Sequence, residues 1–414
     1  MKLLMLSVIA GICMHFFAIA DAKEFPHGQA PAHDQRADRP QKDVTIPFQL
    51  VNKTIFIQVM VVHKPLWFVL DTGDKYAVID LSTAKSLGLE LGDQVPVGGG
   101  GKDTVMGNFL KNSEFSVTGL ENFSQPLFIA VPLEKLAKAS GHEFAGVLGF
   151  DFISQFAVEI DYLKRAITLR DKAAYQYHGD GDILPITFNA AGHPVVRAQV
   201  IDETGSPIDG AFVCDIGSGA ALILNTPFVG KERFLQDGRP TVHWLEGISF
   251  GGGIEGSVGR MKRFRLGRFF INNPVTVFSQ ASNGPFGSAE TQGNIGAAIL
   301  EKFKIILDYN QNRIILESNA EFNKPIEYNR SGLSLVSSGS DYETFKIEAI
   351  ADNSPASEAG FHTGDIVIAI NGHPATEYTL SQLRMMFQDA KECKLTVERG
   401  QEHLQIMLKL RRVI

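Results

Sequence analysis

The chain has 414 residues, with 39 Lys+Arg against 46 Asp+Glu and a formal net charge of −7. That balance leaves no basic excess for neutralising phosphates, so no nucleic-acid partner is expected. Hydrophobic residues at 44% and charged residues at 21% exclude a disordered or fibrous chain, and the length allows two or three domains at about 150 residues each. Three cysteines, with no CxxC, HExxH or spaced Cys/His cluster, argue against a disulfide scaffold and a metal site. No metal or other cofactor is expected.

The N-terminus reads as a secretion signal over residues 1–22. Lys2 supplies a short positive region, Leu3 to Ala20 form a mostly apolar stretch, and Ala18-Ile19-Ala20 and Ala20-Asp21-Ala22 both fit a small-residue cleavage site. The chain is therefore expected to be exported, to the periplasm or the outside of the cell. No membrane association is expected unless this segment stays uncleaved as an anchor. Residues 23–43, with two His, three Pro and alternating charges, read as a flexible linker. After cleavage only Cys214 and Cys393 remain, and both are expected to be reduced and structural.

Beyond the linker, short β-branched and aromatic runs punctuated by Gly, Asn and Asp predict mostly β structure. Before residue 320 helical patches are few: Leu81–Leu87, Leu133–Ala139 and Ala297–Lys302. An apolar strand, Trp67-Phe68-Val69-Leu70, ends in Asp71-Thr72-Gly73, and Gly98-Gly99-Gly100-Gly101 follows 27–30 residues after Asp71. The pattern then returns. Residues 146–169 and 293–316 align without a gap over 24 positions with seven identities: two Gly, Phe, Asp, Tyr, Ile and Leu. The offset of 147 residues is too long for a solenoid unit and suits a duplicated lobe. Upstream, Phe212-Val213-Cys214-Asp215-Ile216-Gly217-Ser218 repeats the strand and acid turn of Trp67–Gly73, and Gly251-Gly252-Gly253 follows 36–38 residues after Asp215.

These motifs resemble the two-lobed aspartic proteases of the retropepsin-like or pepsin-like kind, over about residues 44–318. Asp71-Thr72-Gly73 goes with Val147-Leu148-Gly149, and Asp215-Ile216-Gly217-Ser218 with Asn294-Ile295-Gly296. The resemblance implies a mainly β fold of two homologous acid-protease β-barrel lobes, 44–175 and 176–320. It also implies an endopeptidase in which Asp71 and Asp215 share one proton, one oxygen acting as base on water and the other as acid toward the peptide carbonyl. Both acids lie in one chain, so no obligate dimer is expected. Gly73 and Gly217 would let the backbone turn and bring N–H groups to the carboxylates. Thr72 would tie its turn to the other lobe, and Ser218 would hydrogen-bond Asp215. The glycine clusters 98–101 and 251–253 would be the two flaps; no Tyr occurs between Asp80 and Glu121, which favours the retroviral style of flap. Two positions depart from the family: Ile216 replaces Thr or Ser, leaving a one-sided tie, and Asp74 adds a third carboxylate. Asp161 and Asp308, before Tyr on strands, read as structural.

After residue 328 the pattern changes. Ser354-Pro355-Ala356, Ala359-Gly360, Gly364-Asp365, the apolar run Ile366–Ile370 and Asn371-Gly372 precede a helical stretch, Leu380–Phe387, and two closing strands, Lys394–Arg399 and His403–Leu410. This resembles a PDZ domain of the bacterial protease-associated kind over 328–414, a small β-barrel with helices. The resemblance makes Gly332-Leu333-Ser334-Leu335 the loop that holds a peptide carboxylate. An added peptide strand is expected beside Phe345–Ile350, with the 380–387 helix as the other wall. Peptides or proteins are thus the expected partners. The leading expectation is an exported aspartic endopeptidase; the alternative is a catalytically impaired, peptide-binding relative. A serine protease built on Ser218 fits poorly, because no ordered His and Asp accompany the Gly217-Ser218-Gly219 turn.

Overall fold

The computed structural model describes residues 42–101, 103–111, 115–120, 123, 125–243, 248–250, 252–339 and 341–414. The signal segment, most of the linker and Gly251 lie outside these residues. The chain is mainly β, with 47% strand and 15% helix, as the short β-branched runs require. At its centre lies a six-stranded antiparallel sheet ordered Val44–Val51, Ala166–Asp171, Phe156–Asp161, Phe303–Asp308, Arg313–Ser318 and Asp182–Phe188. Each copy of the sequence repeat supplies two adjacent strands, and an outer strand from elsewhere in the chain, Val44–Val51 or Asp182–Phe188, completes each half.

The register of the middle pair reveals the symmetry. Ala157 faces Asp308, Glu159 faces Ile306 and Asp161 faces Lys304. At the offset of 147, Lys304, Ile306 and Asp308 are the copies of Ala157, Glu159 and Asp161. Exchanging the two copies maps this ladder onto itself, so a pseudo-two-fold axis passes beside Glu159 and Ile306.

On either side of the axis the same crossed arrangement occurs. Lys64–Leu70 runs parallel to Gly146–Leu148, which also pairs antiparallel with Ala77–Asp80. Pro207–Asp215 runs parallel to Gly293–Gly296, which pairs antiparallel with Leu222–Leu224. The inserted strands pass so close to their neighbours that a Cβ on Gly146 would lie 2.2 Å from the Val78 carbonyl, and one on Gly293 would lie 1.9 Å from that of Ile223. Close backbone approach explains why both copies keep glycine there. One apolar core runs through both lobes, and a second gathers Val95, Val97, Leu133, Leu136, Ala137, Ala139, Val147 and Phe250.

The C-terminal residues build their own core from Leu333, Leu335, Phe345, Ile347, Ile370, Leu380, Leu383, Phe387, Leu395 and Leu408. Its strands are ordered Leu333–Ser338, Thr344–Ile350, Ile366–Ile370, Glu392–Arg399 and Glu402–Lys409. Helix Leu380–Asp389 starts at a capping box between Thr379 and Gln382 and buries Leu380, Leu383 and Phe387, one stripe at i, i+3 and i+7. The expected peptide position needs correction. Thr344–Ile350 is paired on one edge by Leu333–Ser338 and on the other by Ile366–Ile370, so it has no edge to offer a peptide. The strand at the sheet edge is Leu333–Ser338, and helix Leu380–Asp389 packs against it.

Candidate active site

The two crossed arrangements deliver one acid each. Strand Lys64–Leu70 is buried toward its end and turns at Asp71, whose N–H donates to the Leu148 carbonyl (3.0 Å). The Gly73 N–H then donates back to Asp71 Oδ1 (2.7 Å). In the second copy Gly217 N–H (3.0 Å) and Ser218 N–H (2.9 Å) donate to Asp215 Oδ1, and the Asn294 amide donates to Asp215 Oδ2 (3.0 Å). Ser218 thus meets Asp215 through its backbone N–H.

The two turns interlock. Thr72 Oγ1 donates to the Cys214 carbonyl (2.7 Å) and accepts from the Ile216 N–H (3.0 Å). Ile216 itself lies in the apolar core; its side chain has no hydroxyl with which to return the tie. A Cβ placed on Gly217 would stand 2.0 Å from Asp71 Cγ, and one on Gly73 would stand 3.0 Å from Asp215 Oδ1. Each glycine therefore leaves room for the carboxyl group of the other lobe, and the two carboxyls lie close enough for the charge of Asp215 to raise the pKa of Asp71.

Both acids are fully buried, at 0% exposure. Burial raises the pKa of Asp71 well above the usual carboxylate range, and the charges of Asp215 and Asp74 raise it further. Asp215 is also pushed up by burial, to about 7, against the lowering pull of Ser218 N–H, Asp71, Gly217 N–H and Asn294. Like charges this close cannot both ionise, so the pair holds one proton over a broad pH range. The surroundings place that proton on Asp71. Asp215 has three donors that favour its anion, whereas Asp71 faces a further carboxylate. The asymmetry arises at two aligned positions: Asn294 is the copy of Val147, and Ser218 is the copy of Asp74. Cys214, free and buried beside Asp215, has its thiol pushed up to about 12 by burial and by that neighbour, which keeps it unreactive.

The first glycine cluster lies where strands Glu90–Val97 and Val105–Lys111 form an antiparallel hairpin. Gly99, Gly100 and Gly101 at its tip are buried, with Gly98 half-buried. Gly100 N–H donates to Ser249 Oγ (2.7 Å) and Gly101 N–H to the Phe250 carbonyl (3.1 Å). Ser249 and Phe250 belong to the short hairpin Ile248–Ser249 with Gly252–Gly253. The two loops are joined tip to tip, and Phe250 is anchored in the first lobe's second core beside Val95 and Val97. The structure brings together Asp71, Asp215 and Thr72, and separately the two glycine clusters, all of which the sequence motifs single out. The motifs miss Asn294 as a donor and Phe250 as an anchor. A polar residue in the slot that holds Val147 in the other copy is the signal for the first.

In the C-terminal unit Gly332 has φ 75°, the left-handed region that favours glycine. It opens Leu333–Ser338, with Leu333, Ser334 and Leu335 all buried. Among the described residues no three His, Cys, Asp or Glu side chains form a metal-binding group.

Residues 57–152 match the family model for an aspartyl protease, and residues 346–399 match that for a PDZ domain. An aspartyl protease domain and a PDZ domain are joined in one chain. No protein of curated function matches the chain. Among solved structures, basic 7S globulin from soybean superimposes with a TM-score of 0.43 at 11% identity, over 69% of this chain and 98% of that chain; the likeness is too slight to bear on activity. The aspartyl protease match spans Asp71, the hairpin Glu90–Val97 with Val105–Lys111, and the Gly146–Leu148 strand. The PDZ match spans most of Thr344–Ile350, strands Ile366–Ile370 and Glu392–Arg399, and helix Leu380–Asp389.

Proposed function

We propose that the chain is an aspartic endopeptidase in which Asp71 and Asp215 hydrolyse peptide bonds through one shared proton and an activated water. The supporting observation is the mutual fit of the two turns, with each lobe's glycine vacating the space the other lobe's carboxyl needs. Asp215, held as the anion by Gly217, Ser218 and Asn294, takes a proton from water as its oxygen attacks the carbonyl carbon. Asp71 gives its proton to the carbonyl oxygen. In the collapse of the resulting diol, the proton on Asp215 passes to the amide nitrogen and a diol hydroxyl returns its proton to Asp71. The C–N bond breaks, one water is consumed, and the dyad is restored. The buried dyad and joined flaps mean that a substrate strand enters only when the flaps part.

The PDZ domain supports peptide or protein partners, and its expected ligand is a peptide C-terminus. Export is proposed on the N-terminal segment, with cleavage after Ala20 or Ala22. A second reading, a peptide-binding relative with impaired chemistry, draws on Asp74, whose charge works against ionisation of the neighbouring Asp71.

The test is inhibition by a peptide whose scissile amide is replaced by a hydroxyethylene group. Competitive inhibition is expected, together with no effect from an acylating serine reagent. Cleavage stopped by that reagent, with the label on Ser218, would contradict the mechanism.

A further inference from the structure

The side of the PDZ domain formed by its edge strand and neighbouring helix packs in part against the first lobe. Helix Glu134–Ser140 of the first lobe packs against the edge strand Leu333–Ser338. Its C-cap, Gly141, at φ 68°, lies so close to the start of helix Leu380–Asp389 that a Cβ there would stand 2.7 Å from Leu380 Cβ. Arg384, on the same PDZ helix, donates through Nη2 both to the carbonyl of Leu335 on the edge strand (3.1 Å) and to that of Ala139 (2.9 Å). One guanidinium thus holds a carbonyl from each wall of the meeting. The end of a catalytic-lobe helix occupies the side at which a PDZ domain would add a peptide strand.

Two further observations concern the loop at the start of the edge strand. The Leu333 N–H donates to the domain's own Ser331 hydroxyl (2.8 Å). Ser334 is 3% exposed and its hydroxyl has no hydrogen-bond partner, a cost that native cores rarely accept without a role. Leu333, Ser334, Leu335 and Arg384 line one side of a cavity of 320 Å³ whose other side includes Ser140 and Glu301. Space for a chain end remains between the PDZ loop and the lobes.

The docked helix also leads to the flaps. Leu133, Leu136, Ala137 and Ala139 share one buried cluster with Val95 and Val97 of the first flap and with Phe250 of the second. Tyr342, from the turn after the PDZ edge strand, packs on the same cluster. A contiguous packed path joins the PDZ groove to the flap bases.

We propose that the end of helix Glu134–Ser140 and an incoming peptide C-terminus compete for the PDZ groove, and that a bound peptide, by releasing this helix, loosens the flaps over the dyad. The ligand is a free α-carboxylate following an apolar residue, because Leu333, Leu335, Met385 and Phe387 line the cavity beside the loop. The competition stands on the docking geometry alone; its consequence for cleavage rests on the protease reading. Either site shifts the other only by the difference in affinity between docked and released states.

The test uses the full chain carrying Asp71→Asn, so that the probe is not cut and loss of activity cannot imitate loss of binding. The probes are fluorescein-labelled hexapeptides ending in Val, Leu or Phe, as free acids and as amides. The free acids are expected to bind, and Gly141→Ala, which sets a methyl against Leu380 without altering the PDZ wall, is expected to tighten binding by about tenfold. Amide exchange in the unaltered groove is the second readout. Bound peptide is expected to protect 333–338 while exchange rises at 133–141 and in the 95–105 hairpin. Protection of 333–338 with no change at 133–141 would overturn the competition. So would equal binding with and without Gly141→Ala, or no binding by either protein.

Discussion

The carboxyl group of Asp71 occupies the space in which a side chain on Gly217 would begin, with the Gly217 Cβ position only 2.0 Å from Asp71 Cγ. The nearest atoms belong to a fully buried acid whose own backbone is bonded to Leu148, so the clash has little room to relax. Gly217→Ala is expected to cut kcat/KM by at least about a thousandfold and to lower stability by about 1–3 kcal/mol. Steady-state kinetics and denaturant unfolding of the variant check this. Near-normal kcat/KM would show that the dyad is not packed as described.

The interlobe tie hangs on one hydroxyl. Thr72→Val keeps the shape of the side chain but strands the buried Cys214 carbonyl and Ile216 N–H. A loss of about 2–4 kcal/mol is expected for two unsatisfied backbone groups, whereas Thr72→Ser, which retains the oxygen, is expected to recover most of it. The midpoint of denaturant unfolding at unchanged slope is the measurement. A larger loss in Thr72→Ser than in Thr72→Val would assign the effect to the methyl group instead.

How much of this could be read beforehand depends on how local each cause is. Asp71-Thr72-Gly73 and its copy are legible because an acid pair at a tight turn needs Asp and Gly at fixed spacing, and the matched Gly146 and Gly293 turns confirm the duplication. The edge strand of the PDZ domain is misplaced because alternation along Thr344–Ile350 reports one buried face and says nothing about which neighbours pair with it. The contact between Arg384 and Ala139 joins residues 245 apart, and no local pattern marks it. Asn294 falls between these cases. Its motif is visible, but its donor role follows only from the aligned Val147.

The asymmetry of the dyad predicts opposite movements of the two limbs of the pH–rate profile. The active form carries one proton on the pair. The Asp74 charge raises the pKa of Asp71, so it delays loss of that proton as pH rises. Asp74→Ser, which copies the second lobe, is expected to move the basic limb down by about one unit. The Asn294 amide lowers the pKa of Asp215, so it eases formation of the single anion as pH rises from acid. Asn294→Val, which copies the first lobe, is expected to move the acid limb up. A profile of kcat/KM against pH for each variant checks both signs; limbs that stay in place would remove both residues from the tuning of the dyad.

The central claim is that Asp71 and Asp215 act as one unit. The most direct measurement is cleavage of an unstructured protein by the parent chain, Asp71→Asn and Asp215→Asn, from about pH 3 to 8, with folding of each variant verified. Cleavage by the parent and a loss of at least about a thousandfold in both variants are expected. Cleavage that survives either substitution, or a folded parent that cuts at no pH, would contradict it.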